Sequence, residues 1–96
     1  MTTKHMESVL RRYFRSKSAE LEIFGKKGMW TVKAICPALE GISGSRDQVV
    51  ANAFGKTRKE SLRNMAASVL RWKGNGSLEE LELEMDTFGI GVEGRK

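Results

Sequence analysis

One cysteine, one proline and one histidine in 96 residues narrow the chemistry open to this chain. Cys36 has no partner for an internal disulfide, which fits a reducing, cytoplasmic setting. Zinc favours Cys and His ligands, and His5 and Cys36 alone would leave a zinc site to carboxylates. No metal and no other cofactor is expected. His5 stands near the N-terminus with no nucleophile or carboxylate partner in view, and Cys36 falls on the apolar face of a strand. Neither makes a catalytic set, so the chain reads as non-catalytic. Also missing is any apolar run of about eighteen residues, the length a membrane span needs. Residues 1–7 lack the apolar stretch of a signal peptide.

What is present is positive charge, unevenly placed. Residues 1–73 hold fifteen Lys and Arg against six Asp and Glu, whereas residues 74–96 hold two against six. A basic body with an acidic extension points to a polyanion as the partner of the body. The hydrophobic share of 40% and the ten glycines fit one globular domain with a modest core.

The order of elements follows from periodicity. Met6, Val9, Leu10, Tyr13 and Phe14 recur at helical spacing and predict a helix over 4–15, with Lys4, Glu7, Ser8, Arg11, Arg12 and Arg15 on its polar side. Leu21 to Phe24 reads as a short strand, and Gly25-Lys26-Lys27-Gly28 as a hairpin turn. Met29 to Cys36 is a second strand, with Trp30, Val32, Ala34 and Cys36 on one face, and Pro37 closes it. Residues 38–46 form a loop, and Asp47 to Phe54 a third strand. Trp30, Tyr13 and Phe14 are expected in the core.

Thr57 and Glu60 then have the spacing of a capping box, which predicts a helix from Arg58 to about Trp72 with Gly74 at its C-terminal cap. Leu62, Met65, Ala66, Val69 and Leu70 give it a buried face. Lys56, Arg58, Lys59 and Arg63 crowd its first turns. Cations oppose the dipole at a helix N-terminus, so their presence there points to an anion, and the expected anion is phosphate. Gly55-Lys56-Thr57 is not a P-loop, because the required first glycine would fall on Val50.

The acidic extension carries two signals. Ser77 and Glu80 repeat the capping-box spacing, yet Leu81-Glu-Leu-Glu-Met-Asp86 alternates strictly, and the alternation favours a strand. Such a strand would pair with a sheet edge, cover the sheet face opposite the helices (where Met29 and Ile35 point), or mediate self-association.

The α-β-β-β-α order and the last helix together resemble the double-stranded RNA-binding domain family. That family's last helix is written G-x-S-K-K-x-A-K-x-x-A-A-x-x-A-L. Here Gly55 meets the glycine, Thr57 the serine, Arg58 and Lys59 the paired lysines, and Leu70 the closing leucine. Ser61, Met65, Ala66 and Val69 occupy the alanine positions. The likeness covers residues 4–73. Leu62 stands where the family carries a third lysine, with Arg63 one position along. Gly25-Lys26-Lys27-Gly28 replaces the family's G-P-x-H loop.

The resemblance implies an α+β fold, with two helices packed on one face of a three-stranded antiparallel sheet, in a domain over 1–73 with an acidic extension over 74–96. It implies double-stranded RNA as partner, bound by duplex shape without catalysis and held away from processing enzymes in the manner of a viral silencing suppressor. The helix cations Lys56, Arg58, Lys59 and Arg63 would bridge phosphates. Lys26, Lys27, Arg11, Arg12 and Arg15 would extend the footprint. Two alternatives stay open. One is the same fold used for protein interaction, with a homodimer through the sheet edge or the extension. The other is a single-stranded nucleic-acid or ribosome-associated binder.

Overall fold

The computed structural model describes residues 1–89. Its order is α1 (Thr3–Arg15), β1 (Glu20–Lys26), β2 (Met29–Cys36), β3 (Gln48–Gly55), α2 (Arg58–Lys73) and α3 (Leu78–Phe88). The strands form one antiparallel sheet in the order β1-β2-β3, as the α+β reading expects. Alternate residues along each strand point inward and paired residues share a face, so Leu21, Val32, Ala34, Ala51 and Ala53 are buried together. Against them pack Met6, Val9, Leu10, Tyr13 and Phe14 of α1 and Leu62, Met65, Ala66 and Val69 of α2. Both helices therefore cover one face of the sheet.

Local chemistry sets the ends of α2. Thr57 Oγ1 accepts from the Glu60 amide at 3.0 Å, and Glu60 Oε1 accepts in return from the Lys56 amide at 3.1 Å. At the other end Gly74 turns left-handed, with φ of 76°, and its N–H donates to the Leu70 carbonyl. Gly55 brings the helix hard against β3. A Cβ there would lie 2.4 Å from the Ser61 amide nitrogen, closer than any real side chain sits.

The strand reading of residues 81–86 is corrected by the structure. Ser77 caps a helix, its hydroxyl accepting from the Glu80 amide at 3.2 Å. Leu78, Leu81 and Met85 share one helical face and join the main core, whereas Leu83, which the alternation had placed beside them, is 66% exposed. The helix wins because the core offers α3 a seat beside α1 and α2. Lys73 Nζ meets Glu84 at 2.9 Å, His5 meets Glu82 at 2.7 Å, and Arg12 meets Asp86 at 2.5 Å. The described part of the extension thus neither pairs with a sheet edge nor covers the open sheet face. Residues 90–96, with Gly91 and Gly94, lie outside the described residues.

Candidate nucleic-acid interface

The sheet register decides which cations come together. Trp30 pairs with Gly25 on one side and with Gly55 on the other. The β1–β2 hairpin tip and the start of α2 therefore share one end of the sheet. Lys26, Lys27 and Lys56 are exposed there, with Lys59 in the first turn of α2. Arg63, also exposed, follows Lys59 by four residues and lies on the same stripe of the helix.

Leu62 is fully buried, with no exposed surface. The position at which the resembled family carries its third lysine is thus a core position in this chain. Arg63 is the residue that presents charge on that turn instead.

Arg58 is not simply a free cation. Its guanidinium donates to Glu7 Oε1, and Arg11 Nε donates to the other carboxylate oxygen, Oε2, at 2.9 Å. Glu7 is 19% exposed, half as open as either arginine, at 40% and 41%. Burial alone would raise its pKa, but the hydrogen bonds and charges of Arg11 and Arg58 outweigh burial and hold the carboxyl below its ordinary range. The bridge ties α1 to the first turn of α2 and fixes both arginines in place.

Glu7 was not among the residues the sequence singled out. Its spacing of four to Arg11 was a visible signal, but Arg58, fifty-one positions away, was not.

The α1 arginines divide. Arg11 Nη1 also donates to the Leu21 carbonyl at 2.7 Å, which lays it along the start of β1. Arg15, exposed, borders the same strand with Ala19 and Glu20, toward the opposite end of the sheet from the hairpin tip. Lys4, Ser8, Arg11 and Arg15 line one shallow groove along α1. Arg12 borders that groove too, but its guanidinium reaches Asp86 of α3. The structure thus gathers Lys26, Lys27, Lys56 and Lys59 at one end and joins Arg58 to Arg11, while Arg12 is engaged by α3.

Among the described residues no group of three His, Cys, Asp or Glu side chains could hold a metal ion, and no helix is long and apolar enough to cross a membrane. No family model, curated protein or solved structure matches the chain.

Proposed function

We propose that this protein binds double-stranded RNA in the cytoplasm, without catalysis, by duplex shape and phosphate contacts. The observation that carries this reading is the register of Trp30 between Gly25 and Gly55, which sets the hairpin lysines beside the cationic start of α2. Side chains cannot read the deep, narrow major groove of A-form RNA, so a protein recognises the duplex through phosphates and 2′-hydroxyls. Two basic elements held a fixed distance apart on a rigid sheet suit that task. Lys56, Lys59 and Arg63 bridge phosphates, and Lys26 and Lys27 reach the same backbone from the hairpin. Arg58 and Arg11, oriented by Glu7, keep remaining guanidinium donors for the duplex, and Arg15 extends the contact along α1. Phosphate contacts position a protein without reading sequence, so little sequence preference follows.

Bound duplex is then withheld from processing enzymes, and that is the test. Stoichiometric protein should protect a blunt 21-base-pair RNA from a duplex-specific ribonuclease. The Lys59→Ala, Arg63→Ala double variant should lose most of that protection. Equal cleavage with and without the wild-type protein would refute the reading.

A further inference from the structure

The face of the sheet turned away from the helices carries apolar side chains where an open antiparallel sheet is ordinarily polar. Phe24, Thr31 and Phe54 form one row across the three strands. Phe54 is 61% exposed, Phe24 46% and Met29, at the end of the same face, 67%. Beside that row runs a polar one, Glu22, Lys33 and Asn52, also in register. Lys33 Nζ lies 5.2 Å from the centre of the Phe24 ring. At the hairpin end the surface folds into an open groove lined by Met29, Trp30, Thr31, Phe54 and Lys56.

We propose that this face is a stacking platform for unpaired nucleotides, with a base seated in the groove between Met29 and Phe54 and a second on Phe24. Exposed aromatic rings beside cations are the two components of a surface that holds single-stranded nucleic acid, because every base has a stacking face and every nucleotide a phosphate. Phe24 and Phe54 stand two strands apart, roughly 10 Å, so they are separate seats rather than one stack. Lys56 lines the groove, Lys26 pairs with Met29 in the register with Lys27 next to it in the hairpin turn, and Lys33 stands on the platform, which supplies the phosphate contacts. Of the three carboxylates on or beside this face, Glu60 lines the groove and accepts from the Lys56 amide, Glu22 faces Lys33 across the register, and Glu20 lies at the far end opposite Ile35.

The same charges argue against a second copy as occupant. A two-fold face-to-face pair would set this lysine-rimmed surface against itself, whereas a polyanion neutralises it. The platform begins where the hairpin lysines and Lys56 lie, so an unpaired extension leaving a bound duplex would pass onto it. The inference rests on the duplex reading above for that continuity and adds a preference for duplexes with single-stranded ends.

The test compares a blunt RNA duplex, the same duplex with a five-nucleotide unpaired 3′ or 5′ extension, and the extension strand alone. Each is titrated against wild type, Phe54→Ala and Phe24→Ala, with circular dichroism confirming that these exposed substitutions leave the fold intact. An extension should tighten wild-type binding about tenfold, the scale of one stacked base. Phe54→Ala should erase most of that gain and leave blunt-duplex affinity unchanged. An extension that gives no gain, or a gain that survives both variants, overturns the platform. So does a concentration-dependent dimer that Phe54→Ala abolishes while RNA binding stays the same. If the blunt duplex is not bound at all, the duplex reading fails by itself. Binding of the single strand then decides the platform, supporting it if Phe54→Ala weakens binding and overturning it otherwise.

Discussion

Glu7 on α1 and Arg58 in the first turn of α2, fifty-one positions apart in the chain, meet as carboxylate and guanidinium at 2.5 Å. The same carboxylate holds Arg11, so one acidic side chain locks two helices and aims two cations. A partly buried charge with two partners is costly to remove on one side only, because both guanidinium groups lose their acceptor. Glu7→Ala should lower unfolding stability by about 1–2 kcal/mol, read from the midpoint of urea denaturation at constant slope. A change near zero would mean that the bridge contributes nothing to the joining of α1 and α2.

The bridge also sets a pH dependence. Glu7 is held below its ordinary value of 4.5 in the folded protein, so the unfolded chain binds its proton first as acid is added. Its stabilisation is complete above that value and is lost as pH falls from there through the lower folded value. Glu84, held down by Lys73 and Asn75, works in the same direction. The melting temperature of wild type should therefore fall more steeply below about pH 4.5 than that of Glu7→Gln. Parallel curves would contradict the assigned role.

Leu62 supplies a test of how far the family pattern carries. Placing a lysine there should not strengthen RNA binding, because that side chain points into the core. Leu62→Lys should instead destabilise the domain by about 3 kcal/mol or more, through an unpaired buried charge. Stability near wild type with improved affinity would show that the position opens toward ligand.

The third helix is a structural part of the domain. Leu81 is 1% exposed within the common core, so Leu81→Ala should cost about 2–5 kcal/mol. A loss well below that, or a separate early unfolding step for α3, would show that the helix is only loosely attached.

Much of this architecture was legible from residue spacing. The limits of α2 followed from Thr57, Glu60 and Gly74, since the capping groups are local and each contacts backbone within four residues. The sheet followed from the alternation of Trp30, Val32, Ala34 and Cys36. Residues 81–86 did not, because period-two alternation and a helical face compete over so short a run. Only the core beside Tyr13 and Lys73, into which Leu81 and Met85 pack, decides between them. The cluster of cations at the start of α2 was legible in the sequence. The engagement of Arg58 by Glu7 and of Arg12 by Asp86 was not, since each depends on tertiary contacts across fifty or more positions.

Recognition of the RNA duplex is decided by one titration. Duplex RNA, duplex DNA of the same sequence and single-stranded RNA are each measured at several salt concentrations. Duplex RNA should be preferred over duplex DNA, with log K falling against log salt at a slope of roughly −4 to −6, from about five or six phosphate contacts. Equal affinity for the two duplexes, or binding indifferent to salt, would contradict it.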